Sequence, residues 1–282
     1  MYDVQVVYSE AGELVTSLYA YSSNEVRAVL DLGEDWRQQV LSSIGHSIHE
    51  HVEAISKDIA LYLRLSWQSP YAEVAGFLDW LRSNEHGCEP ECASVEQAVW
   101  LMSQWHERYF AEKAPELNAM LLAARDNARS GIEKPQALVE ALTGMRVYRR
   151  AGLDSVVLVP QFHASPWVLR DLCDGQMVLR YPADIDYGSD ANGKRLLRVA
   201  RALSDQSRLQ IIRMLARKPM YFSEIVESST VGKSTVHHHL VVLRAASLVR
   251  VHLLRDGRVK YCLAPAIWQN ASRLIRRYVR DE

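Results

Sequence analysis

Apolar residues recur at helical spacing through most of the first 150 positions. They then switch to short strand-like runs and return to helical spacing after a polar break. DVQVVY, residues 3–8, has strand composition, and Ser9 stands where an N-cap belongs for a helix over residues 10–21. From Glu34 to about Leu65, the residues Val40, Ile44, Ile48, Val52, Ile55, Ile59 and Leu63 fall three or four apart, which predicts one apolar helical face. Further helical stretches are expected over residues 71–84, 94–113, 116–129 and 134–143, punctuated by Pro70, Gly87, Pro90, Pro115 and Gly131. After Gly152 the period changes: SVVLVP (155–160) and QMVLRY (176–181) read as strands, with a helix expected near 166–172 between them. PADIDYGSDANG, residues 182–193, is polar and reads as a linker.

Beyond the linker the predicted order is helix, helix, short helix, turn, helix, hairpin, helix. Residues 194–202 and 208–216 are amphipathic, with Ser204 and Asp205 at the N-cap position between them. Pro219 stops the second helix, residues 222–228 supply a short third, and residues 229–232 make a turn. KSTVHHHLVVLRAA, residues 233–246, forms the fourth helix. Val236, Leu240 and Leu243 share one face, while Lys233, Ser234, His237, His238 and Arg244 crowd the other, with Thr235 near the start. A helix with a polar, donor-rich N-terminal end is suited to the major groove: its free N–H groups attract phosphate, and short polar side chains reach base edges.

The hairpin LVRVHLLRDGRVKYCL, residues 248–263, can be read to its register. A two-residue Asp-Gly turn would set Leu253 opposite Lys260. A three-residue loop of Arg255, Asp256 and a left-handed Gly257 instead pairs Leu253 with Val259, Val251 with Tyr261 and Val249 with Leu263, which makes one face wholly apolar. The other face then carries Arg250, His252, Arg258 and Lys260, with Arg255 at the tip, a surface suited to phosphates or a minor groove.

Charge sharpens the division. From Gly193 onward 18 Lys/Arg face 6 Asp/Glu, a net of +12, and before it 15 Lys/Arg face 28 Asp/Glu, a net of −13, so the overall −1 conceals two opposed halves. Either the basic half meets a polyanion or the two halves complement each other.

Residues 197–263 resemble the ArsR/SmtB family of winged helix-turn-helix repressors through ARALSDQSRLQIIRML, FSEIVESS, KSTVHHHLVVLRAASLV and RDGRVKYCL. The resemblance implies a dimer that binds imperfect inverted repeats and releases DNA when an effector binds. It implies that Lys233, Ser234, Thr235, His237 and His238 read DNA, with Arg255 and Arg258 on the wing and His239 turned inward. It also implies a dimer seam formed by the first and last helices of the module. The chain departs from the family pattern at Thr230, where glycine is common, and at Gly232, where a hydroxyl cap is common. Val241 replaces a commonly polar or basic residue, and Ser247 stands where a glycine is expected after the reading helix.

Other chemistry finds less support. The segment 221–227, where metal sensors of that family often carry a cysteine pair, has no cysteine. His86, Cys88 and Cys92, with His106 further on, leave a thiolate cluster as an alternative to solvated loop residues. His46, His49, Glu50, His51 and Glu53 do not make the HExxH pattern and read as a hydrated helix face. VGKST at 231–235 imitates the end of a P-loop, but Glu227 occupies the required first glycine position. The many tryptophans of the first domain read as core, with an apolar ligand pocket as the alternative.

Four cysteines do not make a disulfide framework, and no apolar run approaches a membrane span or a secretory leader. The expectation is therefore a mostly α (α+β) cytoplasmic protein. A helical sensor or dimerisation domain with a small β component spans residues 1–185, and a winged helix-turn-helix domain spans 193–282. The partners expected are double-stranded DNA, a second copy of the chain and a small-molecule effector, with no metal, cofactor, membrane or enzymatic activity. The interface is expected at Lys233, Ser234, Thr235, His237, His238, Arg244, Arg255, Arg258 and Lys260. A protein-interaction adaptor, or an enzyme using the winged helix for docking, is the alternative.

Overall fold

The computed structural model describes residues 2–23, 30–83, 95–130, 133–183 and 191–264, together with Ser272, Ile275, Arg276, Tyr278 and Val279. In chain order the first elements are β1 (Asp3–Val6), α1 (Glu10–Ser22), α2 (Gly33–Ala54), α3 (Ile59–Gln68), α4 (Val74–Ser83) and α5 (Val95–Trp105). A π-helical turn (His106–Phe110) leads into α6 (Ala111–Arg129), followed by α7 (Pro135–Thr143), β2 (Met145–Val147), β3 (Ser155–Gln161), β4 (Leu169–Cys173) and β5 (Gln176–Pro182). The rest is α8 (Ala191–Leu203), α9 (Gln206–Leu215), β6 (Met220–Tyr221), α10 (Phe222–Glu227), α11 (Lys233–Ala245), β7 (Val249–Leu253) and β8 (Val259–Leu263). The protein is mostly helical, with two small sheets ordered β1-β3-β5-β4 and β2-β7-β8-β6.

Packing divides the chain into two compact units. One comprises Val4–Ser130 and Ser155–Ala183, and the other Met1–Asp3, Gly131–Asp154 and Asp184–Glu282. This division differs from a single cut in the 182–193 linker, because residues 131–154 pack with the C-terminal module.

In the first unit, the Ser9 hydroxyl accepts the Gly12 N–H (3.0 Å) and starts α1 where the capping pattern placed it. All seven apolar positions from Val40 to Leu63 are buried, but six lie on two helices rather than one, and Ile55 lies in the turn between them. Gly45 interrupts α2 with φ +79°, and the chain turns over residues 55–58 before α3 begins. Pro115 does not end a helix. It lies in the second turn of α6, just after the π-helical turn, whose wider winding re-pairs the backbone locally.

The helix expected near 166–172 is instead the strand β4, antiparallel to β5. The Asp174-Gly175 pair, with φ +47° and +76°, closes this β4–β5 hairpin and was the turn signal for it. β3, buried along its whole length, runs parallel to β5, as expected of an unbroken apolar strand.

The core of this unit contains Trp36 and Trp105, while Trp100 is exposed against the His51 ring. A buried polar chain crosses it. The Trp36 indole N–H donates to the Tyr109 hydroxyl (2.7 Å), which lies 2.9 Å from His163 Nε2, and His163 Nδ1 lies 2.7 Å from Glu13 Oε1. With the His163 proton on Nδ1, every member of the chain has a partner. The same Glu13 oxygen accepts the backbone N–H groups of Phe162 and His163.

In the second unit, Asp205 caps α9 by accepting the Arg208 N–H (2.9 Å). Val236, Leu240 and Leu243 of α11 pack with Ile211, Leu215, Ile225 and Val249 in its core. The hairpin has the predicted register, Val249 with Leu263, Val251 with Tyr261 and Leu253 with Val259. Gly257 takes φ +80° at the end of the loop, a conformation open to glycine without strain. Val249, Val251 and Leu253 are buried, whereas their β8 partners are only half-buried.

Candidate nucleic-acid interface

The reading helix begins at Gly232, which has no side chain to cap it. The first N–H groups of α11 therefore have no side-chain acceptor, and a helix start of that kind attracts phosphate. Lys233, Ser234, Thr235, His237 and His238 are all exposed around this end, whereas Val236 and Leu240 point into the core. Arg244, in the last turn at the far end, is half-buried. His237 has its ring 6.2 Å from that of Phe222 on α10, edge-on.

His239 is buried, as expected from the resemblance. Its Nε2 lies 4.0 Å from Asp205 Oδ1, so it packs beneath the helix that Asp205 caps. Burial pushes its pKa down despite the nearby Asp205 carboxylate, which favours the neutral ring. The Arg208 N–H hydrogen bond, with the Arg208 guanidinium charge, holds the Asp205 carboxyl below its usual value. Val241 is also buried, which accounts for an apolar residue at that position.

Ser247 adopts φ +56° after α11. Its N–H donates to Arg244 O (2.8 Å) and the Leu248 N–H to Leu243 O (2.9 Å), the two bonds of a Schellman motif. The turn thus has the geometry that glycine usually serves.

The wing sorts its cations. Arg255 is exposed at the tip. Arg258 donates to Asp256 (2.7 Å) and its guanidinium lies 4.7 Å from the Tyr221 ring centre; Lys260 Nζ lies 4.5 Å from the same centre. Arg250 and His252, expected on an open phosphate-facing surface, are engaged instead. Arg250 Nη1 donates to Glu140 Oε1 (2.8 Å), and His252 meets the Tyr148 ring at 6.0 Å. Burial, reinforced by Arg146, pushes the His252 pKa down.

The cause is β2, which pairs in parallel along the outer edge of β7: Met145 with Val251, Arg146 with His252 and Val147 with Leu253. The wing is a hairpin held on both edges, by β2 and by β6. Glu140, Tyr148, Arg149 and Arg150 were not read from the sequence as parts of this surface. The available signal was the apolar-basic-apolar alternation of Met145, Arg146 and Val147 just ahead of two arginines.

Residues 205–251 match the family described as "Bacterial regulatory protein, arsR family". This segment is an ArsR-family helix-turn-helix domain. The ArsR-family match starts at the Asp205 cap, includes all of the reading helix and ends within β7. A domain of this family supports a DNA-binding transcription regulator. No curated protein matches the chain.

Among the described residues, no group of three or more His, Cys, Asp or Glu side chains is placed to hold a metal ion. His86, Cys88 and Cys92 lie outside the described residues. The histidines of α2 do not form a cluster: His49 meets the Tyr21 hydroxyl (3.2 Å), and His51 Nδ1 meets Ser47 O (2.8 Å). No helix among the described residues is long and apolar enough to cross a membrane.

Proposed function

We propose that this protein is a homodimeric transcriptional repressor that binds an inverted-repeat operator in the cytoplasm, with its helical unit sensing a small ligand or partner. The observation that carries the DNA reading is the uncapped start of α11, ringed by exposed Lys233, Ser234, Thr235, His237 and His238, on an ArsR-family domain. Lys233 and Arg255 hold phosphates, His237 and His238 sample base edges, and Arg244, Arg258 and Lys260 reinforce the contact with the backbone.

Large apolar side chains left at the surface support dimerisation. They include Leu197 on α8, Leu209 on α9, and Ile275, Tyr278 and Val279 near the C-terminus. A two-fold dimer requires a two-fold operator, hence the inverted repeat. The sensor reading is supported by connectivity: the chain passes between its two units after residues 3, 130, 154 and 183. A ligand that favours one arrangement of the helical unit therefore acts on the DNA-binding unit through several covalent links.

Fluorescence anisotropy tests this reading, with duplex from upstream of the protein's own gene set against scrambled duplex over a salt series. Selective binding that weakens steeply with salt is expected. Lys233→Ala or Arg255→Ala weakens binding to every sequence and flattens the salt slope, whereas His237→Ala or His238→Ala shifts sequence preference. Sequence-indifferent binding by the wild type would overturn the reading. If both histidine variants keep the wild-type preference, α11 is not the reading helix.

A further inference from the structure

The wing tip of this protein is built from two chain segments. β2 runs toward the tip, and beyond its last pair, Val147 with Leu253, the Tyr148 N–H donates to Leu253 O (2.9 Å). Arg149 and Arg150 follow beside the wing loop. A turn closed by the Leu153 N–H on Arg150 O (3.3 Å), with Gly152 at φ +72°, then redirects the chain. Arg149, Arg150 and Arg255 line one open cleft of about 440 Å³, and Asp154 is the single carboxylate among the residues lining it. Arg150 closes onto the wing loop itself: its Nη1 lies 3.1 Å from where a Cβ would stand on Gly257.

These three arginines differ from their neighbours in pairing. Arg146 and Arg250 share Glu140, and Arg258 is bound to Asp256. Among the described residues no salt bridge joins Arg149, Arg150 or Arg255 to a carboxylate. Arg149 and Arg255 are exposed and Arg150 is half-buried. Three guanidiniums gathered on one cleft repel one another until an anion enters, and their planar forks match phosphate oxygens.

We propose that Arg149 and Arg150 join Arg255 to grip backbone phosphates of the duplex beside the bases read by α11, making the segment before β3 part of the DNA interface. The proposal rests on the reading of the module as duplex-binding. It extends that interface to residues roughly a hundred positions upstream of the wing hairpin. Because phosphates carry no sequence information, the pair sets affinity and salt dependence and leaves base preference alone.

The test uses the full-length protein and a duplex containing its selected site, with anisotropy followed from low to moderate salt. The Arg149→Ala/Arg150→Ala double variant is expected to lower the slope of log K against log salt by roughly 1.8, about 0.9 for each lost phosphate contact, with unchanged sequence preference. Arg149→Lys/Arg150→Lys should keep most of the slope. Arg149→Glu changes only an exposed side chain and should reduce affinity for all sequences, which decides the matter if the double variant folds poorly. Trimming the flanking duplex should erase the difference between wild type and the double variant.

A wild type that binds selectively alongside a double variant of unchanged slope overturns this inference and leaves the duplex-binding reading intact. A changed base preference with an unchanged slope also overturns it, because the pair would then read bases. A wild type with no salt-dependent duplex binding sinks both. Retention of the wild-type slope with free phosphate in excess, together with a fall to the double variant's slope on trimming the duplex, assigns the cleft to DNA rather than to small anions.

Discussion

Glu140 is the residue that ties the wing to α7, and replacing it with glutamine should loosen that edge. Its Oε1 accepts from Arg250 Nη1 (2.8 Å), and its Oε2 accepts from Arg146 Nε (2.9 Å). The carboxylate is well shielded, at 15% exposure, and Arg250 is at 27%, but Arg146 at 47% is largely in water. A charged hydrogen bond shielded from solvent contributes about 1.5–3 kcal/mol, and an exposed ion pair about 0–1 kcal/mol. Discounting the Arg250 bond for its partial exposure, and giving the Arg146 pair little, leaves about 2 kcal/mol for Glu140→Gln, or roughly a thirtyfold shift in the folding equilibrium.

The pH dependence follows from the same geometry. Burial raises the Glu140 pKa, but the hydrogen bonds and charges of Arg146 and Arg250 outweigh it and hold the carboxyl below its ordinary value. A lowered folded-state pKa contributes stability that is present above the ordinary glutamate range and lost as pH falls through the folded value. Urea unfolding by far-UV circular dichroism should therefore show the full wild-type advantage at pH 7 and a shrinking one in acid. Hydrogen exchange at the Val251 amide, which donates to Gly144 O (3.0 Å), should quicken in the variant. An unfolding midpoint unchanged at pH 7, with Val251 protection intact, would refute the view that this carboxylate fastens the wing.

Two further substitutions probe the scaffold. Ser247→Gly removes a Cβ from a left-handed turn, and after the entropy cost of glycine in the unfolded chain it should stabilise the DNA-binding unit by about 0.5–1 kcal/mol; a lower denaturation midpoint would contradict this. Glu13→Ala strands His163 Nδ1 and two backbone N–H groups in a dry core, so tryptophan-monitored unfolding should report a loss of about 3 kcal/mol or more, and a loss under about 1 kcal/mol would show that water replaces the carboxylate.

Local signals were legible wherever one element carried its own reason. The Ser9 and Asp205 caps, the inward face of α11 and the hairpin register all follow from a few adjacent residues, and the structure has them. The apolar stripe from Val40 to Leu63 was legible as burial but not as one helix, because Gly45 and the turn at 55–58 change direction without disturbing which side chains face inward. β4 was misread for a different reason. Its pattern alternates only weakly, and its strand character comes from pairing with β5 across the Asp174-Gly175 turn.

The wing shows what a charge count leaves out. A net of +12 from Gly193 onward pointed to a half suited to a polyanion, yet a cation already bound to a carboxylate is less free to displace the counterions condensed on DNA. Glu140 takes up Arg250, while Lys233 and Arg255 remain exposed with no salt bridge among the described residues. The sequence could not reveal the Glu140 contact, because it depends on a three-residue strand pairing with a partner more than a hundred positions later. The same pairing carries Arg149 and Arg150 to the tip. A duplex meeting this unit therefore sees a few concentrated positive points, at the start of α11 and at the wing tip, and the salt slope of binding should follow the number of those points rather than the net charge of the domain.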